Sequence, residues 1–278
     1  MRELARGIFL ENKYPGVRVA AVASSKGLLL VDCPTRAEDA REWVATLAPQ
    51  GRPRYLAVLD HHPDRVLGAR GFDFPIIAHD LTRQAMQSWP DTFKGNSSPI
   101  GAEADRLKRI TGVRRAIPEV TFADEMKIFL GEREVYFRHK PGPTPGAIWV
   151  DVPQARVVFI GDAVSVFEPP YLGEADLEAW LATLESLRQR ALERCSLISA
   201  HDGRIGTDDI HAMARFLRKV PPRLERLHDK GRPPEAAASL APRLLEGFRL
   251  PSARREQALL RLQTGLVRLY SRTYGKSG

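Results

Sequence analysis

Short apolar runs recur through the first 206 residues, bounded by turn-forming residues. Runs of this kind predict strands, and they lie in residues 17–25, 27–34, 54–60, 74–80, 119–140, 146–164 and 196–203. Apolar residues spaced about 3.6 apart predict helices in residues 35–51, 81–89 and 174–192. Two sets of strands with interspersed helices predict two sheets that pack together and are covered on the outside by helices.

The pattern changes after Gly206. Residues 207–278 show helical patterning throughout, with breaks at Pro221, Gly231 and Pro251. We therefore predict a mixed α/β domain over residues 1–206 and a helical C-terminal extension over residues 207–278. The segment "ALLRLQTGLVRLY" in the extension has an apolar stripe that needs a partner, either the mouth of a pocket or a second copy of the chain in a homodimer.

The composition argues against several classes of protein. The two cysteines, Cys33 and Cys195, are far apart and outside any Cys-x-x-Cys pattern, so neither a disulfide framework nor a cysteine-based zinc site is expected. The charged first residues do not form a signal peptide, and no segment has the roughly 18 apolar residues of a membrane span. These features predict a cytoplasmic protein with reduced thiols and no membrane partner.

The chain has a formal net charge of +8, which would attract anions. Its basic residues are scattered rather than interleaved with aromatic residues, so nucleic acid is not the expected partner. A small-molecule substrate is the predicted partner, and the net charge would favour an anionic one.

Three polar segments each follow or accompany a predicted strand. The first is "DHHPDR" at residues 60–65, the second is "KPGPTPGAI" followed by "VVFIGDAV", and the third is "SLISAHDG". A single aspartate or histidine at the end of a strand usually serves as a cap or a hydrogen-bonding group. Three such segments in this order indicate a shared site.

The order of these segments resembles the metallo-β-lactamase superfamily. Its members carry His-x-His-x-Asp-His after a strand, then Pro-Gly-His-Thr-Pro-Gly, then Gly-Asp, then a strand-end Gly-His-Gly. The resemblance covers roughly residues 8–206. It implies a four-layer αββα sandwich of the α/β (α+β) class, with a metal site between the sheet edges. It also implies a metal-bound hydroxide that attacks an ester, lactone, thioester, lactam or phosphodiester.

Three positions depart from the family pattern. Asp60 stands in the place of the first histidine, Arg65 in the place of the third, and Pro143 in the place of the histidine of the second segment. Proline offers no ligand to a metal. Of the three histidines of the family's first metal site only His62 remains, so the usual dinuclear centre is not expected.

The resemblance leaves the ligands for one metal ion, which would be His62, Asp64, Asp162 and His201. The carboxylates of Asp60, Asp64 and Asp162 and the guanidinium of Arg65 together leave two negative charges, which suits one divalent cation. We predict zinc, with iron or manganese as alternatives. His62 or Asp60 would then be the general base near the bound water, with Arg65 beside the metal as a further catalytic residue.

A second interpretation stays open, in which Arg65 replaces the metal and bridges Asp64 and Asp162 in a buried ion-pair network. The first interpretation is a hydrolase with a mononuclear metal site that acts on a small ester, lactone or thioester-like substrate. The second is an inactive member of the family that serves in binding or scaffolding. Metal content distinguishes them.

Neighbouring residues are assigned supporting roles. His61 is expected to point away from His62, and His79 is expected to cap the helix that follows it. Asp32 is a candidate to orient a ligand such as His62, and Cys33 is expected to be a small buried residue.

Overall fold

The computed structural model describes residues 1–91, 100–106, 114–189 and 192–275. The strands are β1 Arg2–Ala5, β2 Ile8–Glu11, β3 Val19–Ser24, β4 Gly27–Val31, β5 Pro53–Ala57, β6 Ile76–His79, β7 Val120–Phe122, β8 Glu125–Leu130, β9 Arg133–His139, β10 Ile148–Val152, β11 Val157–Gly161, β12 Ser196–Ser199 and β13 Gly203–Ile205. The α-helices are α1 Ala37–Leu47, α2 Pro63–Val66, α3 Asp80–Gln87, α4 Leu177–Ser186, α5 Thr207–Arg218, α6 Pro221–Asp229, α7 Ala241–Leu245 and α8 Arg255–Tyr274.

The strands form two sheets. The first sheet has the order β1-β2-β3-β4-β5-β6-β7, antiparallel from β1 to β4 and parallel from β4 to β7. The second has the order β13-β12-β11-β10-β9-β8, with one parallel pair between β11 and β12. Parallel strands present their carboxyl ends at the same edge of a sheet, so β5 and the pair β11 and β12 can each carry chemistry into the loops that follow.

Alternating side chains of β4 show how the layers are built. Leu29 and Val31 pack into the core between the sheets, together with residues of the second sheet such as Phe159. Leu28 and Leu30 point to the opposite face and pack against α1. Outside the second sheet, a third core joins α4 to the C-terminal helices. The molecule therefore has the four-layer αββα sandwich that the sequence predicts.

The C-terminal helices pack on the outer face of the second sheet. Leu262 and Leu266 of α8 are fully buried in the same core cluster as Trp180 of α4 and Val158 of β11. The apolar stripe of α8 is thus covered within the chain itself. The boundary at residue 206 and the homodimer both stay predictions.

Several predicted elements differ in detail from those observed. The helix predicted over residues 35–51 forms α1 and a short 3-10 turn over Ala48–Gln50. The helix predicted over residues 174–192 is α4, which starts after an Asp176 cap. Of the polar connection over residues 91–113, the structure describes a 3-10 turn at Glu103–Arg106, and residues 92–99 and 107–113 lie outside the described part.

No helix in the described part of the chain has both the length and the apolar character that crossing a membrane requires.

Candidate functional site

The predicted site residues all lie at one edge of the sandwich. They follow the ends of β5, β11 and β12, and they are Asp60, His62, Asp64, Arg65, Asp162 and His201. Contacts described below join the side chains of Asp60, Arg65, Asp162 and His201, with Asp32 as an additional member, and His62 and Asp64 lie beside them. The fold therefore brings the predicted residues to one edge of the sandwich, and their role as a functional site stays a prediction.

Arg65 lies at the centre of this group and is fully buried. Its Nη2 donates a hydrogen bond to Oδ1 of Asp162. Its Nε lies 3.3 Å from Oδ1 of Asp60, and its Nη1 lies 3.7 Å from Oδ2 of Asp32. We call Asp32, Asp60, Arg65 and Asp162 the Arg65 cluster. One guanidinium thus faces three carboxyl groups, with a hydrogen bond to Asp162 and only ion-pair proximity to Asp60 and Asp32.

The ionisation of the cluster follows from burial and from that single cation. Burial raises the pKa of Asp32 to about 7, although Arg65 opposes the shift. Burial also raises the pKa of Asp60 against the attraction of Arg65. The pKa of Asp162 is held well below its ordinary value because Arg65 and His201 outweigh the effect of burial. Asp162 is therefore the carboxylate that balances the guanidinium, and Asp32 and Asp60 are the carboxyls that hold protons more readily.

Two histidines near Asp162 have pKa values shifted in opposite directions. Nε2 of His201 lies 3.0 Å from Oδ1 of Asp162, and this carboxylate raises the pKa of His201 although burial lowers it. The pKa of His62 is well below its ordinary value, first because of burial and further because of the positive charges of Arg65 and His201. The two rings are perpendicular with centroids 6.3 Å apart. The pair therefore combines an imidazole whose pKa is lowered with one whose pKa is raised.

Asp64 is held by the main chain rather than by Arg65. Its two carboxylate oxygens accept hydrogen bonds from the backbone N–H groups of Glu103, at 2.9 Å, and Ala104, at 2.7 Å. Nδ1 of His62 lies 3.9 Å from Asp64, beyond hydrogen-bond range. Arg65 therefore contacts Asp162, as the second interpretation predicts, but the predicted contact with Asp64 is absent. Its other two neighbours are Asp60 and Asp32.

These contacts test whether the predicted ligands fit a metal ion. Asp162 faces a buried guanidinium, whose positive charge opposes a nearby cation, and both oxygens of Asp64 are engaged by N–H donors. Nδ1 of His62 and Oδ2 of Asp60 are buried without a hydrogen-bond partner among the described residues, and these two atoms would suit a ligand. Within the described residues, no three His, Cys, Asp or Glu side chains are placed to hold a metal ion together. The residues present do not fit the metal centre that the resemblance implies.

A cavity of about 500 Å³ opens beside this group and reaches it through His201. Its wall includes the basic residues Arg18, Arg249 and Arg254 and the acidic residues Glu168 and Asp202. Nε of Arg18 donates to the carbonyl oxygen of His201, which fixes the strand-end loop. With His201 protonated, the wall has more positive than negative charge and favours an anion.

The segment at residues 141–146 contributes shape but no metal ligand. Gly142 has a φ of +147°, and a Cβ there would lie 2.5 Å from the Cα of Trp180. Pro143 therefore sits in a loop packed tightly against α4. The hydroxyl of Thr144 is buried without a hydrogen-bond partner among the described residues.

The supporting residues take partly different roles from those expected. His79 caps α3 as predicted, because its Nδ1 accepts a hydrogen bond from the N–H of Leu81 at 3.1 Å. Cys33 is buried as predicted. Asp32 accepts a hydrogen bond from the N–H of Leu59 and lies beside Arg65 rather than His62. Nε2 of His61 lies 2.5 Å from Oε2 of Glu174.

Sequence reasoning missed the residues that brace the cavity from the C-terminal helices. Arg254 donates to Glu103 and Glu168, and Arg261, which is buried in α8, donates to Glu168 and to the carbonyl oxygen of Gly101. These partners are separated by 86 to 160 positions in the sequence. No local pattern links residues so far apart, although an arginine at a buried position of an amphipathic helix is a signal that could have been noticed.

The sequence of the chain was compared with family models and with curated proteins. A family model described as the metallo-beta-lactamase superfamily matches residues 16–200. No curated protein matches the chain in sequence.

Solved structures share the fold at low sequence identity. A metallo-beta-lactamase from Pontibacter korlensis superposes with a TM-score of 0.62 and 17% identity, over 78% of this chain and 97% of that protein. The stereoselective inverting sec-alkylsulfatase Pisa1 from Pseudomonas sp. superposes with a TM-score of 0.65 and 19% identity. That match covers 99% of this chain, C-terminal helices included, and 50% of the sulfatase.

Proposed function

Because the chain belongs to the metallo-beta-lactamase superfamily, we propose that it uses the fold of this hydrolase superfamily with a guanidinium in the place of the metal. In this proposal the protein binds a small anionic molecule in the cavity beside His201. The observation that carries the proposal is the hydrogen bond from the buried Arg65 to Asp162, the aspartate of the Gly-Asp segment in which the sequence resembles the family.

Electrostatics supports Arg65 as the substitute cation. A mostly buried carboxylate is costly without a nearby positive charge, so a cation beside Asp162 stabilises the fold. Arg65 is fully buried and supplies that charge through its own side chain. A divalent ion beside it would face a like charge at close range.

The cavity supports an anionic ligand. Arg18, Arg249 and His201 line it, and His201 protonates readily because Asp162 stands against it. Arg254 also lines the cavity, but its charge is balanced by Glu103 and Glu168. A ligand with one or two negative charges would be held against His201 and the two less paired arginines.

The second candidate is the hydrolase predicted from the sequence, with one divalent metal, zinc, iron or manganese, and a small ester, lactone or thioester-like substrate. The observation that favours it is the unpartnered Nδ1 of the buried His62, which lies near Asp64 and His201.

Elemental analysis of the protein distinguishes the two candidates. The protein is purified without chelator, incubated with zinc, iron or manganese, and dialysed before measurement. We expect no stoichiometric metal. A variant with Asp60→His, Arg65→His and Pro143→His restores the family's histidines and serves as the positive control. About one equivalent of metal in the unaltered protein, lost in Asp64→Ala and His201→Ala, would support the hydrolase and contradict the metal-free proposal.

The stability of Arg65 variants tests its structural role. We expect Arg65→Gln to lower the free energy of unfolding by about 3–5 kcal/mol, because it removes a fully buried guanidinium that faces three carboxyl groups. Arg188→Gln, at an exposed pair with Glu185, is the control and should change it by less than about 1 kcal/mol. Urea denaturation measures both values. Equal effects in the two variants would count against Arg65 as the replacement for a metal.

A further inference from the structure

A second basic region lies on the C-terminal helices, apart from the cavity beside His201. A cavity of about 240 Å³ is lined by α5 and α7, and a cavity of about 660 Å³ is lined by α6 and the segment that leads into α7. Arg223 and Arg243 line both. We call the two together the basic cavities.

Positive charge dominates the walls of the basic cavities. Six cationic side chains line them, Arg215, Lys219, Arg223, Arg226, Lys230 and Arg243. The one carboxylate in the walls, Asp209, accepts a hydrogen bond from the N–H of Gly206 and so is engaged in capping α5. Within the described residues, none of the six cations forms an ion pair with a carboxylate of the chain.

The sequence concentrates its excess charge in the same region. Residues 1–206 contain 27 basic and 27 acidic side chains, whereas residues 207–278 contain 15 basic and 7 acidic ones. The whole net charge of +8 therefore belongs to the C-terminal extension. Unpaired like charges on one surface repel one another, so a bound polyanion would relieve that repulsion.

The shape and composition of the region identify the class of ligand. The exposed large apolar residues of the described chain are Met1, Leu81, Phe129 and Phe167, and none of them belongs to the C-terminal helices, so a membrane surface finds no apolar anchor there. Phe216 is buried and Phe248 is half-buried, and the two rings pack edge to face, so neither of these cavity-lining aromatic residues presents an open face for the bases of a single strand. Concave walls suit a compact ligand.

We propose that the basic cavities bind a small molecule that carries several phosphate groups. Arg223 and Arg243, which belong to both cavities, are the residues that contact it from either side. Arg223 is already fixed by a hydrogen bond from its Nη1 to the carbonyl oxygen of Lys219 at 2.7 Å. This fixed side chain loses little freedom when a phosphate binds.

Calorimetric titration of the full chain with inorganic tripolyphosphate tests the proposal. We expect saturable binding at one site per chain. The double variant Arg223→Gln and Arg243→Gln should bind about 100-fold more weakly, because two charged hydrogen-bond donors are lost. The matched control, Arg232→Gln and Arg255→Gln, removes the same charge from exposed positions outside the cavity walls and should change the affinity by less than about threefold.

Three results would overturn the proposal. The first is the absence of saturable binding. The second is an equal loss of affinity in the control variant, which would mean that only diffuse charge is involved. The third is tight binding of a single-stranded RNA or of vesicles with anionic lipid that tripolyphosphate does not displace. A thermal unfolding curve for each variant ensures that loss of binding is compared among folded proteins.

Discussion

At the scale of single residues, Arg65 is the residue on which the two interpretations of the site differ. The sequence predicts that Asp60, His62, Asp64, Asp162 and His201 converge, since each follows or lies near a strand end. It leaves two interpretations of Arg65 open, because its position beside a metal or in place of one depends on the direction and burial of a long side chain. The structure adds Asp32 as a neighbour, at 3.7 Å from Nη1 of Arg65, and places Asp64 outside the cluster.

Asp64 shows why the spacing of residues within a motif could not predict the hydrogen-bond partners of each side chain. Its oxygens accept from N–H groups 39 and 40 residues further along the chain. The two donors belong to a short 3-10 turn that has no strong periodicity of its own. A motif gives the type of a side chain and its approximate place, whereas its hydrogen-bond partners depend on how distant segments pack.

The raised pKa of Asp32 predicts how the free energy of unfolding depends on pH. Its pKa in the folded protein is raised from 3.8 to about 7 by burial, so protonation stabilises the folded state. The stabilisation is fully present at low pH, below the unfolded value, and is lost as the pH rises through about 7. We therefore expect the free energy of unfolding to fall by roughly 2–4 kcal/mol between about pH 4 and pH 8 from this group.

The variant Asp32→Asn should remove most of that decline. Asparagine tolerates the φ of +56° at this position and can still accept the hydrogen bond from Leu59. Urea unfolding across this pH range measures the effect, with Asp73→Asn at an exposed position as the control. The same slope in Asp32→Asn and in the unaltered protein would show that another group titrates.

At the scale of elements, the sequence periodicity of α8 predicts which of its residues are buried but not what covers them. Its buried residues recur at helical spacing, as the apolar stripe predicts, and they are Ala258, Arg261, Leu262, Gly265, Leu266, Leu269 and Tyr270. The sequence does not identify the partner of the stripe. The structure provides it within the chain, in the core on the second sheet.

The packing of α8 predicts how much stability the protein would lose if a buried side chain of this helix were shortened. We expect Leu266→Ala to lower the free energy of unfolding by about 2–4 kcal/mol, because Leu266 is fully buried and its removal leaves an unfilled space. Arg255→Ala, at an exposed position of the same helix, should change it by less than about 0.5 kcal/mol. Chemical denaturation followed by circular dichroism measures both variants. A loss below 1 kcal/mol at Leu266 would mean that α8 is loosely attached.

At the scale of the whole molecule, the fold was predictable and the role of the C-terminal extension was only partly so. The alternation of strands and helices predicts the αββα sandwich, since two half-buried sheets have few other ways to cover their faces. The same reasoning treats residues 207–278 as an addition. In the structure their helices complete one outer layer and brace the cavity through Arg254 and Arg261.

Removal of the extension tests this integration. We expect a chain of residues 1–206 to expose the apolar outer face of the second sheet, including Val158 and Leu197, and therefore to aggregate or bind an apolar dye strongly. Size-exclusion chromatography and dye fluorescence measure the outcome. A soluble truncated chain with unchanged oligomeric state and no dye binding would show that the extension is a separate unit.

Because the guanidinium of Arg65 is part of the chain, the positive charge at this position needs no metal ion from the solution. A metal ion is exchangeable, so a site that uses one depends on the concentration of that metal and can be emptied by a competing chelator. The guanidinium of Arg65 is synthesised with the chain and is charged at every physiological pH. The positive charge against Asp162 is therefore present whenever the protein is folded. The positive charge of such a pocket does not depend on the concentration of a metal ion, and removing metal ions from the solution would not remove it.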